Sequence, residues 1–152
     1  MKKFLLSIIF VILFPISSFG LIEVDITRGN LNPLPLAVSP LSIDEKSRKS
    51  FERLLKKINI GEEISTIVEN NLRISGLFNP LSKDAFLQAP DIANLKPRFE
   101  DWNLIKAQAL ITGKVNYVED KLRVEFRLWD VLAAKEMMAL AFTTVPSNWR
   151  RV

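Results

Sequence analysis

The sequence predicts an α+β fold of two layers, in which a mixed sheet of about five strands ends in an antiparallel meander and is covered by helices on one face. Two observations support this. Between Leu110 and Thr144, three segments alternate apolar and polar residues and are separated by short breaks. Between Ser42 and Ser75, apolar residues recur every three or four positions, as on amphipathic helices. Neighbouring strands with short connections most simply form a meander, and its apolar face needs a cover.

The meander is the most regular part of the sequence. Its middle strand places four apolar residues on one face and Arg123, Glu125, Arg127 and Trp129 on the other. A period of two indicates an extended segment with one buried face and one solvated face. The residues expected on the buried face are Ile111, Gly113, Val115 and Tyr117, then Leu122, Val124, Phe126 and Leu128, then Met138, Leu140 and Phe142. Glu119, Asp120 and Lys121 form the first break.

Residues 1–20 have the layout of a secretory signal peptide and are left out of the predicted fold. Lys2 and Lys3 precede an apolar run from Phe4 to Phe14, and the small residues Ser18 and Gly20 favour cleavage after Gly20. The run is shorter than the ~20 residues that cross a bilayer, so we expect cleavage rather than stable membrane insertion. Because no cysteine follows the run, a lipoprotein anchor is excluded. The mature chain is therefore expected to be exported and soluble.

Residues 21–31 form a segment that is capable of becoming a strand. Ile22, Val24 and Ile26 alternate with Glu23, Asp25 and Thr27, and Arg28-Gly29-Asn30 ends the pattern. Two interpretations fit it equally well. The segment is either an edge strand of the same sheet or a detachable peptide that adds itself to the sheet of another protein.

A basic helix is predicted from Ser42 to Ile58, after a stiff Pro-rich link and a short strand at Leu36 to Val38. Ser42 and Glu45 have the spacing of a capping box. One side carries an apolar stripe and the other is rich in lysine and arginine. Such a helix could lie on an anionic membrane, but packing of the stripe on the domain is the preferred interpretation. The stripe consists of Phe51, Leu54, Leu55 and Ile58.

The remaining elements are shorter. Gly61 is expected to break the chain before a second helix at Glu62 to Ser75, with Gly76 as its C-cap. A short strand at Leu77 to Leu81 follows. From Ser82 to Phe99 we expect a loop, broken by Pro90 and Pro97, with a helical turn at Asp84 to Gln88. Asp101 is expected to cap a short helix, Trp102 to Ala107. The segment from Pro146 to Val152 resembles the start of a further helix near Asn148.

Composition excludes several classes of enzyme. With no histidine and no cysteine, Ser-His triads, thiol nucleophiles and histidine-bearing zinc sites are impossible. Removal of Lys2 and Lys3 lowers the formal charge from +4 to +2, which gives no reason to expect nucleic-acid binding. No catalytic residue, cofactor or metal site is predicted. An exported carboxylate-dependent hydrolase remains the alternative, and two adjacent acids in an apolar cleft would favour it. The acids in question are Asp101, Glu119, Asp120, Glu125 and Asp130.

Four stretches together resemble the N-terminal domain of the TolB family of the Tol-Pal system. They are LIEVDITRGNLNPLPLAVSP at the mature N-terminus, LRISGLFNPLSKDAF from Leu72, LRVEFRLWDV from Leu122 and VPSNWRRV from Val145. They occur in the expected order, and the resemblance extends over nearly all of residues 21–152. The resemblance implies a mixed five-stranded sheet with two helices, followed in the family by a β-propeller that is absent from this sequence. The basic stretch from Ser42 to Ile58 departs from the family pattern.

The resemblance also implies a function. In the family, the first dozen mature residues bind the C-terminal domain of TolA, whereas the propeller binds Pal. On this chain the TolA-binding peptide is residues 21–31, and residues 32–152 form the domain, with its last helix cut short. The expected role is that of a periplasmic adaptor supporting outer-membrane integrity, cell division and protein import. A further alternative is a protein that binds envelope lipid or peptidoglycan through Ser42 to Ile58. The expected contact residues are Leu21, Ile22, Glu23, Val24, Asp25, Ile26, Thr27 and Arg28.

Overall fold

A six-stranded mixed sheet forms the centre of the domain. The structure is a computed structural model that describes residues 32–56 and 59–151. The strands are β1 (Leu34–Val38), β2 (Ser42–Ile43), β3 (Phe78–Pro80), β4 (Ala109–Val118), β5 (Lys121–Asp130) and β6 (Lys135–Thr144). The helices are α1 (Glu45–Leu55), α2 (Ile60–Ile74), α3 (Pro90–Leu95) and α4 (Phe99–Leu104), with 3-10 turns at Lys83–Ala85 and Pro146–Arg151.

The strand order is β3-β1-β4-β5-β6, and β2 pairs with β4 beyond the end of β1. β1 is parallel to both β3 and β4, whereas β4, β5 and β6 are antiparallel to one another. The predicted α+β class, with a mixed sheet that ends in a meander, is confirmed. The segment predicted from Leu21 to Thr27 lies outside the described residues, as does the signal peptide.

The meander has the predicted faces. Val115 pairs with Val124 and Val124 with Phe142, so that one face of all three strands is apolar. The β4–β5 turn consists of Glu119 and Asp120, whose φ angles are 49° and 58°. Two-residue hairpins with positive φ at both positions match the twist of the strands, which explains the tight turn at this polar break. A β-bulge between Leu128 and Trp129 ends the regular register with β6.

Helix α1 begins three residues later than the sequence predicts. The Asp44 carboxylate accepts a hydrogen bond from the Ser47 backbone N–H at 2.8 Å, which makes Asp44 the N-cap. Ser42 instead belongs to β2 and donates its hydroxyl to the Gly113 carbonyl at 3.2 Å. The predicted capping box of Ser42 and Glu45 is therefore wrong, because a contact across the sheet takes the serine hydroxyl.

Gly61 lies inside α2 and does not precede it. A Cβ at this position would sit 2.2 Å from the Leu41 carbonyl oxygen, so only glycine allows the helix to approach the chain at Leu41. The Leu41 N–H also donates to the Gly61 carbonyl at 3.3 Å. The predicted break at Gly61 is thus replaced by a close packing contact. Gly76 follows the helix with φ of 73°, in agreement with its expected position at the C-terminal end.

The two long helices cover one face of the sheet. Phe51 of α1 and Ile64 of α2 are buried with Val115, Leu122 and Val124. Farther along α2, a second cluster is formed with β1 and the start of β4. That cluster contains Leu36, Val38 and Ala109, with Val68, Leu72, Ile111 and Leu128 packed around it. Trp149, from the C-terminal 3-10 turns, joins the first cluster and is 8% exposed.

The opposite face has a smaller cover that the sequence does not predict. Ala93 of α3 and Trp102 of α4 are buried against Ala37 and Leu110. These two strand residues point away from the α1–α2 side, because Leu36, Val38 and Ala109 on either side of them face α2. The domain therefore has helices on both faces, with the long pair on one side and the short pair over part of the other.

Two local predictions in this region are wrong. Pro90 is the first residue of α3 and not a break, since proline fits the first turn of a helix, where its missing N–H is not needed. Asp101 lies within α4 and does not cap it. Its carboxylate accepts hydrogen bonds from Gln88 Nε2 at 3.0 Å and from Arg98 Nε at 2.8 Å, which anchors the preceding loop.

Candidate partner-binding surfaces

The peptide from Leu21 to Arg28, which carries all eight predicted contact residues, lies outside the described residues. The described part of the chain shows what the peptide leads into. Six residues after Arg28, the chain enters β1 at Leu34, a strand flanked by β3 and β4. The core residues of the described domain all lie at Leu36 or beyond. The domain thus has a core of its own downstream of the predicted peptide.

Strand β6 is an edge strand with little protection. No described strand pairs with its outer edge, and nine of its ten residues are exposed, whereas Thr144 is half-buried. Its charged residues, Lys135 and Glu136, stand at its start, and the following residues up to Thr144 include no charge and no proline. Edge strands normally carry charges, prolines or bulges that prevent pairing with other chains. On β6 the two charges and the bulge at Met137 are confined to the first three residues. This edge is therefore open to another strand.

The face of β6 that points toward α2 is apolar and exposed. Met138, Leu140 and Phe142 are 51%, 48% and 43% exposed. The Phe142 ring meets the Phe126 ring edge-on at 6.2 Å between centroids. Between this face and α2 runs a groove of about 220 Å³. It is lined by Val68, Ile111, Phe126, Arg127, Leu128, Met138 and Leu140.

Helix α1 presents a basic surface on the side away from the sheet. Lys46, Lys49, Arg53 and Lys56 are all exposed there, whereas Phe51 is fully buried. The preferred interpretation of this helix, packing of its apolar stripe on the domain, is confirmed for Phe51 and Leu55. Leu54 is an exception, since 47% of it remains exposed.

The acids considered for a hydrolase are each engaged separately. Asp101 is held by Gln88 and Arg98, and hydrogen bonds from these two side chains lower the pKa of the Asp101 carboxyl below its ordinary value. Burial raises the pKa of Glu125, but Arg123 Nε at 3.0 Å and Lys114 Nζ at 3.3 Å outweigh it, so that the pKa is lowered. Both carboxyls are thus held in the charged form by basic or amide partners.

The other three acids lie in turns or stabilise them. Asp130 is buried and accepts a hydrogen bond from the Ala133 N–H at 2.9 Å, which stabilises the β5–β6 turn. Asp120 accepts from the Tyr117 hydroxyl at 2.8 Å, and this bond raises the pKa of Tyr117. Glu119 and Asp120 are adjacent, but they lie on an exposed turn and not in an apolar cleft.

Neither a cluster of metal-binding side chains nor a membrane-spanning helix occurs in the described part of the chain. In residues 32–56 and 59–151, no group of three or more acidic, histidine or cysteine side chains is placed to hold a metal ion. Within the same ranges, no helix has both the length and the apolar character needed to cross a bilayer.

The residues that the sequence pattern missed are those whose roles depend on tertiary contacts. Asp44 and Ser47 join α1 to β4, because the Ser47 hydroxyl donates to Asp44 at 2.7 Å and accepts from the Tyr117 N–H at 2.8 Å. The spacing of Asp44 and Ser47, three residues apart before an amphipathic run, is a signal that could have identified this cap.

Comparison with known proteins gives a match over most of the sequence. The family described as the TolB amino-terminal domain matches residues 22–137. The Tol-Pal system protein TolB of Pelagibacter ubique (strain HTCC1062) is 77% identical over 147 residues. This alignment covers 97% of the chain but 33% of the relative, so the chain spans about a third of that relative's length.

Solved structures share the fold at low identity. The crystal structure of TolB from Acinetobacter baumannii matches with a TM-score of 0.58 and 20% identity, over 78% of this chain and 25% of that one. The C-terminal domain of LpoB from Salmonella enterica matches with a TM-score of 0.52 and 12% identity, over 77% of this chain and 86% of that one. At these identities the likeness concerns the fold alone.

Proposed function

The chain belongs to the TolB amino-terminal domain family, and on that premise we propose that it is a periplasmic adaptor of the Tol-Pal system that acts by binding another protein. Residues 1–20 export it and are removed. Residues 21–31 then form the mature N-terminus and bind the C-terminal domain of TolA. Residues 32–152 form the domain that carries this peptide.

One observation carries the proposal: the family match begins at Ile22. The match therefore includes the alternating segment in addition to the folded domain. The residue composition leaves two interpretations of that segment open, an edge strand or a detachable peptide. Family membership favours the second.

The proposed mechanism is strand addition. Backbone N–H and C=O groups of the peptide hydrogen-bond to the edge of a sheet in the partner, which supplies affinity. Ile22, Val24 and Ile26 lie on one face of the extended peptide and set the register, whereas Glu23, Asp25 and Thr27 face solvent. Leu21 and Arg28 flank this pattern.

The architecture of the described domain supports a separable peptide. The core begins at Leu36, and β1 has hydrogen-bonded neighbours on both sides. A peptide that lies before such a strand can be removed or engaged by a partner without disruption of the core of the domain. The peptide would thus be a ligand carried on a stable scaffold.

The wider role follows from the same premise. An adaptor that engages TolA would contribute to outer-membrane integrity, cell division and protein import. Contact with Pal belongs, in this proposal, to the propeller of longer family members, because the chain spans about a third of its relative.

The test is a titration of the TolA C-terminal domain with the chain lacking residues 21–30. We expect binding to be lost while thermal unfolding stays cooperative, because the core begins after the deletion. Ile22→Asp combined with Val24→Asp should weaken binding about 100-fold, since each change places a charge where an apolar side chain is buried. Glu23→Gln should have a smaller effect.

A matched control adds the same charge just after the expected contact residues. Asn30→Asp combined with Asn32→Asp leaves all eight of those residues unchanged and should retain most of the affinity. Unchanged affinity of the deletion variant would refute the proposal. Equal losses in the two double variants would refute strand addition and would indicate a response to charge alone.

A further inference from the structure

The exposed cations of α1 and of its C-cap form a row. Lys46, Lys49, Arg53 and Lys56 follow one another at intervals of three, four and three residues. At 100° per residue, Lys46, Lys49 and Arg53 lie roughly 140–160° around the helix axis from Phe51. Lys56 follows directly after the helix as its C-cap, with a φ angle of 57°. The row extends over about 15 Å at 1.5 Å per residue. We name these four residues the basic row.

The rotation of α1 about its axis is fixed by its contacts with the sheet. Phe51 is fully buried, and its ring meets the Tyr117 ring edge-on at 5.7 Å between centroids. On the same side, the Ser47 hydroxyl accepts a hydrogen bond from the Tyr117 N–H. Because these contacts hold one side of the helix against the sheet, the basic row points outward.

Among the described residues, the charges of the basic row have few partners. Lys46, Arg53 and Lys56 form no ion pair there, and Lys49 has one exposed contact of 3.6 Å with Glu45. Arg53 lies near enough to Tyr117 for its charge to act on that hydroxyl and oppose the rise in the pKa of Tyr117. The acids of the same helix, Glu45 and Glu52, lie roughly 100–120° from Phe51 and so flank the row. Arg48 turns toward Leu41 and Asn59 and does not belong to it.

We propose that the basic row docks the domain on the anionic phospholipid surface of a bilayer. Lys49, Arg53 and Lys56 line an open depression of about 560 Å³ together with Glu52. Because this lining includes a carboxylate and no buried polar group, it is not a pocket for one small anion. Laterally mobile headgroups can gather beneath such a row without a preformed site. Because no apolar side chain stands among the four cations, binding is electrostatic and peripheral.

Docking on lipid gives the proposed adaptor a second interaction. It does not depend on the proposed binding of TolA. The four cations lie on α1, whereas the proposed TolA-binding residues end at Arg28. Variants of the basic row should therefore bind the TolA C-terminal domain normally, so that failure of either proposal can be recognised separately.

The test is co-sedimentation of the mature chain, residues 21–152, with large vesicles. One set consists of phosphatidylcholine, and the other contains about a quarter phosphatidylglycerol. We expect binding to the second set in ~0.05 M salt and its loss in ~0.5 M salt, since salt screens exposed charges. Lys46→Gln, Lys49→Gln, Arg53→Gln and Lys56→Gln together should lower this binding at least tenfold.

The matched control removes the same charge from other surfaces. Lys96→Gln, Lys106→Gln, Lys121→Gln and Lys135→Gln together change four exposed lysines outside α1 and should leave most of the binding. Residues 21–31 are the same in both variants, so any membrane contact of that segment affects both equally. If the first variant does not melt cooperatively, Lys49→Gln combined with Arg53→Gln takes its place.

Three outcomes would overturn the proposal. The first is absence of binding to the anionic vesicles in low salt. The second is equal binding to both vesicle sets, which would indicate an apolar contact. The third is an equal loss in the two quadruple variants, which would indicate a response to net charge. Retention on purified peptidoglycan without binding to vesicles would assign the row to an anionic glycan and would also refute the lipid assignment.

Discussion

Asp44 shows how one side chain can join a helix to a sheet. Its carboxylate accepts hydrogen bonds from the backbone N–H and the hydroxyl of Ser47, and that hydroxyl accepts the Tyr117 N–H of β4. The backbone hydrogen bond from Ser47 is the main reason that the pKa of Asp44 lies below its ordinary value of 3.8. The cap therefore stabilises α1 and also fixes its position on β4.

Replacement of Asp44 by alanine should lower the free energy of unfolding by about 1 kcal/mol at neutral pH, as for other N-caps. The pKa of Asp44 is lower in the folded state than in the unfolded state. Its charge-dependent contribution is therefore complete above about pH 4 and is lost as the pH falls through the folded-state pKa. Urea unfolding at pH 7 and near pH 2.5 should show the difference between wild type and Asp44→Ala becoming smaller.

Asp44→Asn is the control for this prediction. The amide oxygen can still cap the helix, so the loss at neutral pH should be smaller than for alanine, and the pH dependence should disappear. A difference between wild type and Asp44→Ala that stays constant over the same pH range would contradict the proposed role of the carboxylate charge.

At the scale of elements, sequence patterns predicted the strands and helices that have a regular period. They failed where a single tertiary contact determines the role of one residue. The alternation from Leu110 to Thr144 identified three strands and their shared face, because a buried face imposes the same period on every strand. Gly61 was assigned to a break, although it allows α2 to meet the Leu41 carbonyl. Ser42 was assigned to a cap, although its hydroxyl binds the Gly113 carbonyl, 71 residues away in sequence. The predicted peptide at Leu21 to Arg28 remains a prediction.

Gly61→Ala should destabilise the domain even though alanine is the better helix former. The added Cβ would lie 2.2 Å from the Leu41 carbonyl oxygen, so that α2 or the β1–β2 connection must shift. Overpacking of this kind costs roughly 1–3 kcal/mol, which exceeds the ~1 kcal/mol gained in helix propensity. Chemical unfolding measures the net change in the free energy of unfolding. Asn71→Ala, at an exposed position of α2, is the control and should be neutral or stabilising. A more stable Gly61→Ala variant would show that the contact is not tight.

At the scale of the whole molecule, burial is uneven across the sheet. Leu122 and Val124 of β5 are fully buried, whereas on the same face Leu140 and Phe142 of β6 are about half exposed. The sequence predicted one apolar face across the meander but not this gradient, because the reach of α1 and α2 over the sheet depends on how they pack. The unpaired edge and the apolar face of β6 therefore occur together at one side of the domain.

This arrangement predicts self-association of the 152-residue chain. Exposed apolar side chains in a contiguous patch bind hydrophobic dyes and other copies of the same surface, whereas scattered ones do not. Leu140→Lys combined with Phe142→Lys should lower both dye fluorescence and the mass seen in sedimentation equilibrium, because two charges then occupy the patch. Leu104→Lys combined with Leu132→Lys is the matched control, since these leucines are 71% and 67% exposed elsewhere. That control should change neither measurement. If the wild-type chain is monomeric and does not bind the dye, the β6 face is covered in solution. If dye binding is lost in the control alone, the apolar patch lies elsewhere.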